Sequence, residues 1–316
     1  MRPVADSADV IEQELNLPRK LVRRRRRVGP PGVPLFWALP GFVLAVALHF
    51  VAVGAGAWYA FTDWNGISAS ANWIGLDNFR EIFQSDVAQS ALWHTLELTV
   101  VYVILVNVAG LALALALNRT LRSRNFLRAL FFAPVVLSPL ATAYVWRYLF
   151  DFTGPLNGLL GAAGLEAWQR PWLGDPGFAL WAVVVVFTWQ YAGLAMCFYL
   201  AGLQSIPEEV DEAAAIDGAS LWLRIRAVTV PLLAPAMTIS IAYTTIQGFR
   251  IFDTVVGLTN GGPGSATETL TTQLFTQGFA SNRFGYGAAF ALVLALLISV
   301  VSITQIMFLR AREARI

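Results

Sequence analysis

The segment EEVDEAAAIDG, Glu208–Gly218, is a polar island between two long apolar stretches of the chain. Ser205 and Pro207 precede it and suit a helix start, and acidic residues in a first helical turn complement the positive end of the helix dipole. Gly218 is a typical residue at the C-terminal end of a helix. The pattern therefore predicts a short polar helix over Asp211–Ile216.

A second amphipathic piece, Leu221–Val228, follows, and the chain returns to an apolar stretch at Pro231. The small side chains of Ala213, Ala214 and Ala215 allow close approach by another surface. Two interpretations stay open: an ordinary interfacial loop, or a helix that docks into a groove of a soluble protein.

The composition places this chain in a lipid bilayer. It has 316 residues, 57% of them hydrophobic and 13% charged, whereas a soluble domain is about 25% charged. A membrane-spanning helix needs about 20 apolar residues, about twice the length of a barrel strand. The sequence therefore predicts an all-α membrane protein with six spans: Phe36–Phe61, Leu96–Leu117, Ala129–Phe150, Phe178–Leu203, Leu232–Leu258 and Tyr286–Leu309.

The distribution of basic residues predicts the orientation. Most of the 22 lie before the first span, after the second, after the fourth and after the sixth. Because cytoplasmic loops carry the excess of Lys and Arg, both termini are expected in the cytoplasm. Residues 1–33 would form a basic cytoplasmic tail, and residues 34–316 a transmembrane domain with a cytoplasmic loop at 205–231. The run Arg23–Arg27 would meet anionic lipid headgroups.

Polar residues within the predicted spans need a partner or a watery cavity. In the fifth span, Ser240, Tyr243, Thr244 and Gln247 share one helical face, and in the fourth span Thr188–Tyr191 is polar or aromatic throughout. These side chains would either bond between helices or line a solute path. The candidates for a path are Trp189, Tyr191, Tyr243, Thr244 and Gln247.

Prolines and one charge pair indicate where spans should bend or be stabilised. Pro134 and Pro139 in the third span and Pro235 in the fifth are expected to kink or begin helices. Arg250 and Asp253 are three residues apart, so they are expected to pair with one another, a structural role.

The sequence indicates no enzyme. A P-loop needs a lysine after its glycine-rich turn, and the only lysine, Lys20, is in no such turn. His49, His94 and Cys197 are too isolated for a metal site, and no catalytic set, cofactor motif or nucleic-acid partner is expected. Energy for uphill transport would come from another protein.

Several motifs resemble those of ABC importer permeases. Glu212-Ala213-Ala214, Gly218 and Pro231 resemble the loop through which these permeases couple to an ATPase subunit. The family favours Ile and Leu before the proline, where this chain has valines.

Outer-loop motifs narrow the resemblance to the carbohydrate branch and its MalF-type subunit. They are Phe61–Gly66, Gly75–Phe79, Gly261–Pro263 and Thr267–Thr269, and the likeness runs from about Pro34 onward. These Gly-, Pro- and Asn-rich loops are turn signals.

The resemblance implies a type I ABC importer permease fold and a bacterial inner-membrane subunit of a binding-protein-dependent importer, with a di- or oligosaccharide as substrate. Its partners would be a MalG-type permease, two ATP-binding subunits that hold ATP and Mg²⁺, an extracytoplasmic binding protein and membrane lipid. Coupling would involve Glu212, Ala213, Ala214, Asp217, Gly218 and Pro231; the binding protein would meet the loops of Trp64, Asn65, Gly261, Gly262 and Pro263.

Two other functions remain open from the residues alone. Inverted repeats and charged residues in the middle of spans would favour a secondary transporter or channel. The sequence has no clear repeat and few such charges. A membrane scaffold that docks a cytoplasmic partner would also use the polar loop. Co-purification of an ATPase and a second permease would discriminate among these functions.

Overall fold

The computed structural model describes residues 35–118 and 122–313. The basic tail, Arg119 and Arg315 therefore lie outside the described residues. Within these ranges the chain is helical apart from its loops and one isolated bridge between Thr62 and Trp73, which confirms the prediction of an all-α protein. The described residues divide into two compact units between Val53 and Gly54, and the sites described below lie in the second.

The helices of the described residues follow in chain order. They are α1 (Leu39–Tyr59), α2 (Asp77–Gln84), α3 (Asp86–Leu117), α4 (Arg124–Val136), α5 (Pro139–Leu149), α6 (Pro155–Ala162), α7 (Pro176–Leu203), α8 (Glu208–Ile216), α9 (Leu221–Leu232), α10 (Ala234–Phe249), α11 (Asp253–Leu258), α12 (Leu270–Phe275) and α13 (Phe284–Glu313).

Four of these helices, α1, α3, α7 and α13, are long and apolar enough to cross a membrane. Two further pairs would each make a span that is bent: α4 with α5 at 99°, and α9 with α10 at 70°. The described residues thus hold four candidate spans, or up to six if each bent pair is one span. The predicted number matches the upper figure, but the third and fifth spans are not single helices.

The third predicted span, Ala129–Phe150, breaks at Leu137 and Ser138. Both residues have extended backbone, with ψ of 144° and 128°. A residue before proline avoids the helical region, so Ser138 ends the helical path and Pro139 begins α5, as predicted for this proline. Pro134 is accommodated inside α4.

The fifth predicted span, Leu232–Leu258, is also interrupted. α10 ends at Phe249, and the chain leaves helical geometry before α11 begins at Asp253. Pro235 lies in the first turn of α10, as predicted. Among the described residues no ion pair joins Arg250 to Asp253, so that prediction is wrong: three-residue pairing needs a continuous helix, and the helix stops between them.

The core of the second unit forms around α7, which packs against α3, α4 and α10. Gly110 of α3 lies directly against Ala195, and Gly193 lies against the backbone of Phe131 in α4. Such close approaches need residues without a Cβ, a common arrangement in membrane helices. This packing brings the polar faces of α3, α7 and α10 together.

Candidate functional site

The polar loop folds as two short helices. α8 begins at Glu208, three residues before the predicted start, and ends at Ile216 as predicted. Gly218 has a φ of 79°, and the neighbouring Ala219 N–H donates to the Ala214 carbonyl at 3.1 Å. This left-handed C-terminal closure confirms Gly218 as the stop of the helix.

α8 turns one face toward α9 and leaves the other open. Asp211 pairs with Arg224 of α9 at 3.5 Å, a tertiary contact that the sequence did not predict. An open cavity of about 1120 Å³ lies beside this pair, and Arg124, Arg128 and Glu212 contribute to its wall. The ion pair is thus one contact that joins α8 to α9.

The predicted coupling residues do not all share one surface. Glu212, Ala213, Asp217 and Gly218 are exposed, and Ala214 is half-buried. Ile216 is 86% exposed. Pro231 is half-buried and lies in the last turn of α9, next to its 70° bend with α10. α8 thus presents a surface of acidic, small and apolar side chains, and Pro231 belongs to the bend behind it.

Three of the five predicted path residues lie together. Tyr191 of α7 is half-buried and has Tyr243 and Gln247 of α10 as neighbours. The ring of Tyr243 is 5.6 Å from that of Phe198, measured between centroids. The structure therefore forms a face of two hydroxyls and an amide between α7 and α10.

The other two predicted path residues lie elsewhere. Trp189 is two residues from Tyr191, which places it on the opposite side of α7, and its ring packs edge-on against Trp146 of α5 at 5.4 Å. Thr244 is 2% exposed and accepts a hydrogen bond from the Nδ2 of Asn107 at 2.9 Å. Thr244 thus forms the interhelical bond that was the alternative to a path.

Asn107 joins three helices inside the apolar core, and the sequence did not single it out. Its Oδ1 accepts from the Tyr199 hydroxyl of α7 at 2.8 Å and from the Ser240 hydroxyl of α10 at 2.7 Å. Its Nδ2 also donates to the Val103 carbonyl at 2.8 Å. Because buried polar groups need partners, one side chain here satisfies several of them. The network fixes α3, α7 and α10 behind the polar face.

Replacing Asn107 by alanine is expected to destabilise the fold by about 2–4 kcal/mol, since it strands two buried hydroxyls. Thermal unfolding of the purified full chain would measure this loss. Asn118→Ala is the matched control because Asn118 is exposed at the end of the same helix. An equal effect of the two variants would contradict the role of Asn107.

The outer loop that follows α1 is held by its own polar groups. The Trp64 indole donates to the Ser68 carbonyl at 2.8 Å, and the Asn65 Oδ1 accepts from the backbone of Ile67 and Ser68. Hydrogen bonds from the side chain and backbone of Asn72 keep the pKa of Asp63 below its ordinary value. Asn65 is exposed and Trp64 half-buried, so the loop is a preformed outer surface.

The second predicted outer loop is folded more deeply into the protein. Gly261 is buried beside the Glu268 carboxylate, and Gly262 and Pro263 are half-buried. Thr267 is fully buried and donates to the Gly262 carbonyl at 2.8 Å. The exposed points of this loop are instead Asn260 and Gly264.

A family comparison matches residues 106–313 to the binding-protein-dependent transport system inner membrane component. The chain is 32% identical to the "Probable starch degradation products transport system permease protein AmyD" of Thermoanaerobacterium thermosulfurigenes, over 87% of this chain and 92% of that protein. It is 33% identical to the "Multiple sugar-binding transport system permease protein MsmF" of Streptococcus mutans, over 84% of this chain and 90% of that protein.

A solved structure has the same fold. It is a chain of a bacterial ABC transporter involved in the import of the acidic polysaccharide alginate, with a TM-score of 0.74 and 22% identity over 89% of this chain and 95% of that one. The helices of the described residues therefore form a type I ABC importer permease fold.

Proposed function

This chain belongs to the family of binding-protein-dependent transport system inner membrane components, and on that premise we propose that it is a permease subunit of an ATP-driven sugar importer. Membership makes it a multi-pass protein of the inner membrane and a transport component. The observation that carries the proposal is the match to sugar permeases along nearly the whole chain. A di- or oligosaccharide fits the names of those relatives.

The partners follow from the same premise. The chain would form half of the translocation path, and a second, MalG-type permease would form the other half. Two ATP-binding subunits would dock beneath, with ATP and Mg²⁺ held there, and a binding protein outside would deliver the sugar. Both termini and the loop at 205–231 would lie in the cytoplasm, which agrees with the clustering of arginines at those places.

Coupling would run through α8. Its acidic first turn and its exposed Ala213 and Ile216 suit a groove on a soluble protein. The ion pair between Asp211 and Arg224 supports this role, since force on α8 would pass to α9 and then to the bend at Pro231. Closure of the ATPase subunits would thereby move α10, which carries Tyr243 and Gln247.

The sugar would pass along the face of Tyr191, Tyr243 and Gln247, where hydroxyls and an amide offer hydrogen bonds. Gln247→Ala is expected to raise the KM for uptake about tenfold, the value of one or two hydrogen bonds to a sugar hydroxyl. Thr244→Val is the comparison variant, because Thr244 bonds within the fold and should alter stability rather than KM. Unchanged uptake kinetics in Gln247→Ala would leave Gln247 as an ordinary helix contact.

The outer loop of Trp64 and Asn65 would receive the binding protein, and so would the exposed points of the second outer loop, Asn260 and Gly264. A binding screen of the cognate binding protein against an oligosaccharide panel tests the substrate class. Selective binding of a sugar supports the proposal, and selective binding of an amino acid or peptide overturns it.

A further inference from the structure

One buried side chain of α7, the fourth span, contacts the break between α4 and α5 in the third span. Gln190 of α7 is 0% exposed, and its Nε2 donates to the Leu137 carbonyl at 3.1 Å. Leu137 is where α4 ends and the backbone turns extended. The Gln190 amide thus supplies a donor where a continuous helix would have used its own backbone.

The oxygen of the same amide has no hydrogen-bond partner among the described residues. The Oε1 of Gln190 is buried without a hydrogen-bond partner in the described residues, and so is the Oγ1 of Thr142, one turn into α5. Buried polar atoms are nearly always paired, so each unpaired one calls for an explanation. The Gln190 amide therefore carries an oxygen that can take a new donor if the bend changes.

The neighbours of Gln190 on α7 link the break to the path. Trp189 packs against Trp146 of α5, whereas Tyr191 lies on the path face beside Gln247. One turn of α7 therefore touches α5, the break and the path. A rotation of this turn about the axis of α7 would move all three contacts together.

We propose that Gln190 is a positioning residue that latches the 99° bend of the third span. Its bond to Leu137 holds the angle between α4 and α5, and its release lets that angle change when the path changes state. This inference rests on the proposed function, because a change of state matters only for a transporter.

The bend itself can be measured in the full chain in lipid nanodiscs. Spin labels at Phe126→Cys and Tyr148→Cys, both at exposed sites on α4 and α5, report the distance across the break once Cys197 is replaced by alanine. Gln190→Leu is expected to shift the ratio of distance populations about three- to tenfold, the equivalent of one neutral hydrogen bond. Gln305→Leu is the matched control, a half-buried glutamine of α13 whose Oε1 is also unpaired.

A distance distribution in Gln190→Leu that equals that of the unmodified chain would overturn the latch. If Gln190→Leu fails to accumulate, Gln190→Asn takes its place; its amide is one methylene shorter and should shift the populations in the same direction. An unchanged distribution in Gln190→Asn overturns the latch equally.

A second measurement separates this inference from the proposed function. The assembled transporter is reconstituted, and uptake of a radiolabelled maltodextrin mixture is compared with ATP hydrolysis. The Gln190→Leu transporter should move less sugar for each ATP hydrolysed, at an unchanged KM for the sugar. If the ratio of sugar transported to ATP hydrolysed is unchanged, the latch is overturned. Absence of uptake by the unmodified transporter would contradict the proposed function and leave the distance result to decide on the latch.

Discussion

Replacing Gly193 by alanine is expected to push α4 away from α7 and to lower the thermal midpoint of the full chain. A Cβ at Gly193 would lie 2.6 Å from the carbonyl carbon of Phe131 and 2.8 Å from the Cα of Phe132. These are backbone atoms, so relief requires the two helices to separate. Overpacking of this kind costs about 1–3 kcal/mol.

The effect should extend to transport, because α4 leads to the break that Gln190 holds. Gly158→Ala is the control: Gly158 lies in α6, and a Cβ there would meet nothing within 4 Å. That variant should be neutral or slightly stabilising, as alanine favours a helix over glycine by about 1 kcal/mol. A Gly193→Ala chain with the unmodified midpoint would contradict the close packing of α4 on α7.

Reversing the charge of Glu212 is expected to uncouple transport from ATP hydrolysis. Glu212 is exposed and lines the open cavity beside the Asp211–Arg224 pair, and among the described residues it forms no ion pair. A groove that receives the Glu212 carboxylate would carry basic side chains, and a lysine at this position would face them. Like charges placed opposite each other across an interface cost several kcal/mol. ATP-driven uptake should fall about tenfold or more, by the same energetic argument.

Two controls separate docking from folding and from net charge. Glu166→Lys makes the same change of charge in the loop before α7, on the side predicted to be outside. The amount of Glu212→Lys protein in the membrane should equal that of the unmodified chain. Undiminished coupling in Glu212→Lys would remove Glu212 from the docking surface.

The apolar stretches and the polar helix could be predicted because both depend on local pattern. Apolar runs of about 20 residues predict the spans. The acidic, alanine-rich run before Gly218 predicts α8, and Gly218 predicts where that helix ends. Pro139 indicates that a helix begins at this position, but it does not indicate the 99° bend between α4 and α5. That angle depends on Gln190 and Gly193, which come from another helix.

The contacts that hold the site could not be predicted, since they join residues far apart in the chain. Asn107 is a single polar residue in an apolar run, and nothing nearby in the sequence indicates Tyr199 and Ser240 as its partners. For the same reason the sequence alone makes Thr244 a candidate for the path, although Asn107 donates a hydrogen bond to its hydroxyl.

The central claim is that this chain moves sugar only with an ATPase docked on α8. The most direct test is uptake of oligosaccharide by proteoliposomes that contain the purified complex and its binding protein, with ATP supplied or withheld on the side of the ATPase. We predict that uptake requires ATP, the binding protein and both permease subunits. In Glu212→Lys this uptake should fall about tenfold or more. Equal uptake without ATP, by this chain alone, would contradict the account.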